Sequence, residues 1–285
     1  MTAFASASPS WDTQDQSPTD FDADDLAPLA GLIALGRRSE RIVAFTGAGI
    51  STESGIPDYR GPGGVWERNA APILSDFQTN PSTRREYWRR RRTGYRKLAD
   101  AMPNQGHRAL AALATAGRVT AVITQNIDGL HQKAGNDPDQ VIELHGTAHR
   151  VRCLDCGTTW PASAIQDRLV DSDDEPRCER CGGPLRGATI LFGESLPADA
   201  LQRAVEAARD CDLMLVVGSS LIVKPAAQLP LLAKRVGAGL AIVNRTDTPL
   251  DQLADVRIEG EAGPTLGALA TALLGDGWDQ RSWID

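Results

Sequence analysis

The sequence predicts an α/β protein in which a parallel sheet domain carries an inserted, small cysteine-rich domain. Three observations predict it: short apolar runs alternate with helical patterns, polar or glycine-rich turns follow several of those runs, and two cysteine pairs share one polar segment. Short β-rich runs separated by helices are typical of a parallel sheet covered by helices on both faces. The 285 residues, 41% of them hydrophobic, suffice for one large or two small domains.

Seven apolar runs are predicted to be strands, and four helical patterns accompany them. The strands are expected at 41–46, 118–124, 141–144, 189–192, 212–217, 240–244 and 256–259. The helices are expected at 26–38, 107–116, 198–209 and 225–236. No apolar stretch reaches the ~18 residues that a membrane-spanning helix requires, so we expect no membrane partner.

Composition divides the chain into segments. Residues 1–25 contain six Asp, no Lys or Arg, and many Ser, Thr and Pro residues, which predicts a disordered acidic tail. The parallel sheet domain is expected over 26–149 and 188–275, the insertion over 150–187 and a C-terminal tail over 276–285. The net charge of −7 comes almost entirely from the acidic tail. The rest of the chain is nearly neutral, which argues against a nucleic-acid partner, because such a partner favours a strongly basic domain.

The first residues lack the basic start and apolar core of a signal peptide, and they lack the Arg of a transit peptide. We therefore expect a cytoplasmic protein. Cysteines stay reduced in that compartment, so the five cysteines favour metal ligation over disulfides.

Four of the five cysteines form two pairs inside the insertion. Cys153 and Cys156 are followed after 21 residues by Cys178 and Cys181, and a glycine follows each pair. Two such pairs can present four thiolates to one tetrahedral zinc, and a site closed by four cysteines is structural because it leaves no position for water. The alternative is four free thiols in an insertion without a core. Cys211 has no cysteine close to it in sequence and is expected to pack in the core.

A glycine turn follows the first predicted strand. Gly47, Ala48 and Gly49 lead into Ser51, and a strand, glycine turn and helix start form an anion site because glycine lets the backbone approach phosphate oxygens. Thr52 stands where a G-x-G-x-x-G motif has its third glycine. The number of glycines alone therefore does not decide between a dinucleotide site and a plain tight turn.

Other predicted strands also end in glycine or polar residues. Gly218, Ser219 and Ser220 follow one strand, and Asn244 ends another. Ligands of parallel α/β sheets bind at the carboxyl ends of the strands. Together these residues favour a phosphate- or ribose-binding edge.

Two further strand ends supply candidate catalytic residues. Gln125, Asn126 and Asp128 follow the second predicted strand, and His145 follows the third. A histidine with a near-neutral pKa suits a general base, and a satisfied buried histidine is the equal alternative.

The other three histidines are not expected to be catalytic. His107 and His131 lie in helical patterns, where packing or capping is favoured. His149 lies beside the cysteine insertion and is expected to be exposed, because four cysteines already fill a metal site.

Six motifs of this chain resemble the sirtuin family, the NAD-dependent protein deacylases. They are GAGISTESGIPDYR at 47–60, TQNIDGLH at 124–131, ELHG at 143–146, the two C-x-x-C pairs, LFGE at 191–194 and GSSLIVKPA at 218–226. The motifs occur in family order, and the resemblance covers about residues 40 to 262. It implies a Rossmann-type domain and a small zinc-ribbon domain, with NAD and an acyl-lysine peptide meeting between them.

The resemblance also implies roles for individual residues. His145 matches the general base, and Asn126 is expected to be catalytic with it. The implied NAD-binding residues are Gly47, Ala48, Gly49, Ser51, Asp58, Tyr59, Arg60, Gln125, Asn126, Ile127, Asp128, Gly218, Ser219, Ser220, Asn244 and Ala262. The implied ligands of a structural zinc are Cys153, Cys156, Cys178 and Cys181. The peptide is expected to add as a strand beside Phe192, Gly193, Glu194 and Val223.

The implied reaction consumes NAD as a co-substrate. The acyl-lysine oxygen attacks the sugar carbon that nicotinamide leaves, and His145 activates a ribose hydroxyl that takes the acyl group. The products are the deacylated lysine, nicotinamide and O-acyl-ADP-ribose. The alternative at the same site is protein ADP-ribosyl transfer or NAD hydrolysis. Acyl-lysine proteins or peptides are the expected partners of a monomer or weak oligomer.

The segment 84–97 bears on the acyl group, and its eight basic residues and one acid are typical of a solvated helix face. In the sirtuin branch that removes succinyl and malonyl groups, a Tyr-x-x-Arg pair here binds the acyl carboxylate. Aligned with that branch, Trp88 replaces the tyrosine and Arg91 matches the arginine, whereas a one-residue shift offers Tyr87 and Arg90. The Tyr-Trp pair followed by Arg looks more like the class II, mitochondrial-type branch. Members of class II are associated with weak deacetylation, other acyl groups and ADP-ribosyl transfer.

Two non-enzymatic functions are less favoured. An NAD-sensing binding protein without turnover has no use for His145 and Asn126. A zinc-ribbon nucleic-acid binder gains from the basic segment, but the nearly neutral body and the 5% aromatic residues weigh against it.

Overall fold

The computed structural model describes residues 23–61, 64–65, 73–169 and 175–279. The helices in these ranges are α1 (Ala23–Arg38), α2 (Leu74–Thr79), α3 (Pro81–Asp100), α4 (Gln105–Thr115), α5 (Leu130–Lys133), α6 (Ala162–Arg168), α7 (Ala198–Asp210), α8 (Gln228–Arg235) and α9 (Ala262–Leu274). The strands are β1 (Ile42–Thr46), β2 (Val119–Thr124), β3 (Val141–Glu143), β4 (Gly146–Cys153), β5 (Thr159–Pro161), β6 (Leu185–Thr189), β7 (Leu213–Val217), β8 (Gly239–Val243) and β9 (Val256–Ile258). Two 3-10 turns lie at Ala48–Ser54 and Asp251–Leu253.

The larger sheet is parallel and has the order β3-β2-β1-β7-β8-β9. Side chains of β1 alternate between two apolar clusters: Ile42 and Ala44 join one, and Val43 and Phe45 join the other. Helices α1, α4 and α9 supply the first cluster, and α7 and α8 supply the second. The predicted parallel sheet with helices on both faces is confirmed, and all its strands end at one edge.

Six of the seven predicted strands are present, displaced by at most one residue at either end. The prediction for 189–192 is wrong. Only Thr189 belongs to a strand, β6, and that strand is part of the smaller sheet. Beyond it the N–H of Ile190 donates to the His145 carbonyl at 2.9 Å, and the N–H of Leu191 donates to the Glu194 carboxylate at 3.2 Å. These hydrogen bonds turn the segment after Thr189 into a loop, where a strand would have paired with a neighbouring strand.

The predicted helices are present with shifted ends. Helix α8 begins at Gln228 instead of 225, and α1 already begins at Ala23, inside the segment expected to be disordered. The rest of that predicted tail, and residues 280–285 of the C-terminal one, lie outside the described residues. Trp278 turns back onto the domain, where its Nε1 donates to Thr271 Oγ1 at 2.9 Å. Among the described residues, no helix has the length and apolarity needed to span a membrane.

The smaller sheet is antiparallel, with the order β5-β4-β6. Its apolar cluster is small and includes Val151, Ile165 and Leu185. The largest buried side chain in that cluster is Trp88, which comes from α3 outside the sheet. The limits 150–187 for an inserted domain stay a prediction, since the strands of this sheet run from Gly146 to Thr189.

Candidate functional site

The carboxyl ends of the parallel strands border a cavity of about 1370 Å³, which extends to the smaller sheet and to α3. Most residues that the sequence predicts for NAD and for the peptide line it: Gly47, Ala48, Gly49, Asp58, Tyr59, Arg60, Gln125, Asn126, Ile127, Gly218, Ser219, Ser220, Asn244, Ala262, Phe192, Gly193, Glu194 and Val223. His145 lines the cavity as well, whereas Ser51 and Asp128 do not.

Three glycines of the cavity allow two chain segments to approach closely. The N–H of Gly49 donates to the Gly218 carbonyl at 2.9 Å, which joins the turn after β1 to the turn after β7. A Cβ on Gly49 would lie 2.6 Å from the Gly218 Cα, and one on Gly47 would lie 2.6 Å from the Gly218 carbonyl oxygen. Thr52, in place of a third glycine, donates its hydroxyl to the Gly49 carbonyl at 2.9 Å. These glycines therefore join two strand ends as well as opening the backbone to a ligand.

Ser51 and Asp128 form a buried network behind the cavity wall. Ser51 Oγ donates to Asp128 Oδ2 at 2.7 Å and accepts from Asn126 Nδ2 at 3.1 Å. Asn126 Nδ2 also donates to the Gly47 carbonyl at 3.1 Å. Because both amide protons are used, the network fixes the Asn126 side chain at the cavity wall. Ser51 and Asp128 thus act on the cavity through Asn126.

His107 and His131 extend this network and are buried, as the helical patterns predicted. His107 Nδ1 lies 3.0 Å from Asn104 Oδ1, and His131 Nε2 lies 2.9 Å from Thr46 Oγ1. Burial lowers the pKa of His107 well below its ordinary value and the pKa of His131 to about 4. Both rings are therefore neutral at neutral pH and contribute hydrogen bonds without charge.

His145 is half-buried, and its ring is oriented by a single backbone contact. Its Nδ1 lies 2.9 Å from the Gln125 carbonyl oxygen, which can only accept, so Nδ1 carries the proton. Nε2 keeps its lone pair and has no hydrogen-bond partner within the described part of the chain. Burial lowers the pKa of His145, the Gln125 contact raises it and the Arg60 charge lowers it further. The neutral ring can accept a proton from a ligand in the cavity.

His149 is not exposed, contrary to the expectation from sequence. It is half-buried, and its Nε2 lies 2.7 Å from the Asp128 carbonyl oxygen. Its ring also lies edge-on to Tyr95, with 6.1 Å between ring centroids. The carbonyl of Asp128 needs a donor at this position, which explains why the side chain turns inward.

The segment that follows the first 3-10 turn forms one wall of the cavity. Asp58 Oδ1 accepts the N–H of Gly61 at 2.8 Å and closes a tight turn around Tyr59 and Arg60. Burial raises the pKa of the Tyr59 hydroxyl, so this group stays protonated. The turn places a neutral hydroxyl and a guanidinium beside the cavity.

The loop 191–194 at the cavity is held in place by a buried arginine. Arg186 on β6 contacts the Glu194 carboxylate and donates to the Thr189 carbonyl at 2.7 Å. Glu194 also accepts the N–H of Leu191. The Glu194 carboxylate therefore fixes the loop, and Phe192 at the tip is left 40% exposed.

At the opposite end, Asn244 follows β8 and Ala262 begins α9. Asn244 Nδ2 donates to the Thr246 carbonyl at 2.7 Å, which holds this turn closed. Glu261 and Arg245 lie beside them as an ion pair at 2.7 Å. These four residues form the wall that continues from the glycine turn.

Helix α3 supplies a further wall of the cavity, and on it lie three of the sequence's candidates for binding the acyl group, Tyr87, Arg90 and Arg91. Tyr87, Arg91, Gly94 and Leu98 line the cavity, and their spacing of four, three and four residues marks one helix face. Gly94 and Leu98 are the two that the sequence analysis missed, and their spacing from Tyr87 and Arg91 is the signal that links them to those candidates. Arg90 also lines the cavity and pairs with Glu86 at 2.6 Å.

Trp88, the aligned candidate for an acyl-binding side chain, faces away from the cavity. It is 2% exposed, and its Nε1 donates to the Leu185 carbonyl at 3.0 Å in the smaller sheet. Tyr87 lines the cavity, and its hydroxyl accepts the N–H of Gly187 at 3.1 Å. Arg91 contacts the Ala148 carbonyl and lies 5.1 Å from the centre of the Tyr95 ring.

The four predicted zinc ligands lie together. The Sγ atoms of Cys153, Cys156, Cys178 and Cys181 lie within 4.8 Å of one another. Two Sγ–Sγ distances are 3.5 and 3.7 Å, close to the roughly 3.8 Å that tetrahedral zinc with bonds of about 2.3 Å requires. The site therefore fits a structural zinc. Cys211 is buried in the core of the larger domain, as expected.

Comparison with protein families matches residues 47–225 of the chain to the Sir2 family. An NAD-dependent protein deacetylase of Rhodopseudomonas palustris is 48% identical over 226 residues, which cover 79% of this chain and 89% of that protein. The NAD-dependent protein deacylase 2 of Archaeoglobus fulgidus is 43% identical over 247 residues, covering 85% of this chain and 94% of that one.

Solved structures agree with these sequence relatives. A Sir2 enzyme with a p53 peptide and NAD⁺ aligns with a TM-score of 0.76 at 40% identity, over 82% of this chain and 94% of that one. A Sir2 enzyme bound to a propionylated peptide aligns with a TM-score of 0.76 at 38% identity, over 84% and 95% of the two chains.

Proposed function

We propose how this chain, which belongs to the Sir2 family of NAD-dependent protein deacylases, performs its reaction. The reaction transfers the acyl group of an acyl-lysine to ADP-ribose and releases nicotinamide. The geometry of His145 carries the proposal. Its Nδ1 is anchored to the Gln125 carbonyl, its Nε2 has no hydrogen-bond partner among the described residues, and the residue lines the cavity.

His145 is the general base of this proposal. Its protonated Nδ1 fixes the tautomer, so Nε2 is the atom that accepts the proton of a ribose hydroxyl. Arg60 lies close enough to lower the pKa of His145, which keeps the ring in its basic form. Asn126 presents a fixed side chain nearby, held by Ser51 and Gly47.

NAD, when bound, supplies a sugar carbon from which nicotinamide departs. We assign its phosphates to the glycine turn at Gly47–Gly49 and its adenosine to the wall of Ser219, Asn244 and Ala262. Gln125 Nε2 donates to Ser219 Oγ at 2.8 Å and so links this wall to the strand end beside His145. The nicotinamide end is assigned to Asn126, Ile127 and the turn of Asp58, Tyr59 and Arg60.

The acyl-lysine peptide is assigned to the opening between the loop 191–194 and Val223. An extended peptide can pair there with main-chain groups as an added strand. Because main-chain pairing recognises little of a peptide's sequence, we expect loose sequence specificity. The Arg186–Glu194 contact supports this assignment, since it holds the loop in one conformation.

We place the protein in the class II branch on the segment Tyr87-Trp88-Arg89 and the motif STESGIPDYR. The curated relatives are named deacetylase or deacylase, and one solved relative holds a propionylated peptide. Acetyl and propionyl groups are therefore the first acyl groups to test. Tyr87 and Arg91 beside the cavity favour also testing a succinyl group.

Mass spectrometry of the protein with NAD and a panel of acetyl-, propionyl-, succinyl- and long-chain acyl-lysine peptides tests this function. We expect loss of the acyl mass from at least one peptide, with the matching O-acyl-ADP-ribose. Release of nicotinamide without any change of the peptides contradicts the deacylase. Protein ADP-ribosylation or NAD hydrolysis then replaces it, and the mass of the protein distinguishes the two.

We further propose a cytoplasmic protein that is a monomer or weak oligomer and has no nucleic-acid partner. Four reduced thiolates suit a reducing compartment, because disulfides form in oxidising ones. The net charge of −7 disfavours a polyanion. Cell fractionation, light scattering and a gel shift with DNA test the three statements separately.

A further inference from the structure

Glu53 caps the amino terminus of α9 from a distant part of the sequence. Its Oε1 accepts the N–H of Gly263 at 2.9 Å, across 210 residues of chain, and the carboxylate also lies beside the N–H of Ala262. The residue directly before α9, Glu261, makes no side-chain capping bond. The first N–H groups of a helix need such a partner.

Gly263 is shaped to receive this carboxylate. A Cβ at Gly263 would lie 2.2 Å from Glu53 Oε2. The backbone at Gly263 is ordinary helix, so the glycine is not required by a positive φ. Glycine inside a helix costs about 1 kcal/mol relative to alanine, and here it provides room for the carboxylate.

The contact joins two walls of the cavity. Glu53 lies on the 3-10 turn Ala48–Ser54, whose first residues line the cavity at the end of β1. Ala262 and Glu261 line the cavity at the start of α9. Glu53 itself does not line it and is open to solvent on its outer side. The carboxylate therefore fixes the distance between the two walls without touching a ligand.

We propose that Glu53 is a positioning residue for NAD, holding the glycine turn and the start of α9 at the separation that the ADP portion needs. The proposal rests on the assignment of NAD to this cavity. On this proposal the first N–H groups of α9 donate to Glu53 and are not used to bind the NAD phosphates. The glycine turn binds the phosphates instead.

Glu53→Ala tests the proposal, because a residue that positions NAD should affect KM for NAD and leave kcat nearly unchanged. Losing a helix cap typically corresponds to about a fivefold change in an equilibrium, so KM for NAD should rise about fivefold while kcat stays within about twofold. Glu53→Gln keeps an acceptor oxygen at the same position and should restore most of the affinity. In calorimetric titration with NAD alone, the Kd of Glu53→Ala should rise by the same factor as its KM, and the Kd of Glu53→Gln should stay near the wild-type value.

Asp212→Ala is the matched control. The Asp212 carboxylate accepts the N–H groups of Glu40 and Arg41 at 3.1 and 2.9 Å, but it precedes β7 at the opposite edge of the sheet. We expect Asp212→Ala to lower the melting temperature and to leave KM for NAD unchanged.

An equal rise of KM in Asp212→Ala overturns the proposal, as does a folded Glu53→Ala protein with unchanged Kd for NAD. If Glu53→Ala does not fold, Glu53→Asp decides: its carboxylate is shorter by one methylene and is drawn back from the Gly263 N–H, so its Kd for NAD should rise, and a wild-type Kd there overturns the proposal. A wild-type protein that binds NAD but leaves every peptide unchanged contradicts the deacylase function alone, because the titration still measures the role of Glu53.

Discussion

The two sides of the cavity are built in different ways. On one side, the strand ends of the parallel sheet carry Gly47, Asn126 and Asn244 over a core that fills both faces of the sheet. On the other side, the wall consists of α3 and the smaller sheet, whose own apolar cluster is slight and depends on Trp88 from α3.

The two sides are therefore held in place by different kinds of interaction. The sheet edge is positioned by buried apolar area, the dominant favourable contribution to folding. The smaller sheet has too little apolar area for this and relies on bonds between parts: four cysteines at one point, Trp88, and the buried pair of Arg84 with Glu175 at 3.0 Å. We therefore expect perturbations of the second side to leave the first side folded.

Removing the metal should have the largest effect and should separate the two sides. Structural zinc contributes about 10–16 kcal/mol of apparent folding free energy in small modules. Chelation, or Cys178→Ala, should unfold the smaller sheet and abolish deacylation. Hydrogen exchange should show lost protection in β4 and β6 and retained protection in β1 and β7.

Cys211→Ala is the control for metal removal, because this cysteine is buried in the core of the larger domain. Its zinc content should equal that of the wild type. Unchanged protection of β4 and β6 after chelation contradicts the dependence of the smaller sheet on zinc.

His145→Tyr should have the next largest effect, and it acts on the chemistry without disturbing either wall. Removing a general base lowers the rate by about 10²–10⁴. The variant should fold and bind NAD with the wild-type Kd while turnover of an acyl-lysine peptide nearly stops. His149→Gln, which replaces a histidine outside the cavity and keeps a donor near the Asp128 carbonyl, should retain most of the rate. A His145→Tyr protein with near-normal turnover contradicts the assignment.

The sheet edge could be predicted because its information is local. Apolar runs such as 213–217 identify strands, and glycine or polar residues directly after them identify the edge where ligands bind. The misassigned run at 189–192 looks like a strand for the same reason. This segment forms a loop instead of a strand because Arg186 contacts Glu194, and that contact exists only in the folded protein.

The second side could be predicted only where residues of one type recur at fixed spacing. The two cysteine pairs predicted a metal site from sequence alone. The orientation of α3 could not be predicted, because Trp88 and Tyr87 are neighbours and only their contacts with Leu185 and Gly187 decide which faces the cavity. The inward turn of His149 likewise depends on a carbonyl 21 residues away.

Trp88→Phe should have a moderate effect, confined to the second side. The change keeps an aromatic ring in the cluster but leaves the buried Leu185 carbonyl without its donor. Leaving such a group unsatisfied costs about 1–3 kcal/mol. Denaturant unfolding should show this loss, and hydrogen exchange should place it in β6.

Trp160→Phe is the matched control, because Trp160 is half-buried on β5 and has no hydrogen bond from its indole among the described residues. We expect a smaller loss of stability from it. Equal losses from the two substitutions contradict a specific role for the Trp88 N–H.

The smallest expected effect is the pH dependence of the first side. Burial and the Arg60 charge lower the pKa of His145, and the bond to the Gln125 carbonyl only partly opposes them. A lowered pKa keeps the imidazole neutral at more acidic pH, so the acid limb of kcat/KM should have its midpoint below the ordinary 6.5. Arg60→Met removes one of the two causes, so the midpoint should move up towards that value, whatever happens to KM. Arg245→Met removes a cavity arginine that is not among the causes and should leave the midpoint in place. A wild-type midpoint above 6.5 contradicts His145 as the titrating base. Burial is the largest influence on the pKa of this ring and lowers it, and the contact with the Gln125 carbonyl, which raises it, is smaller.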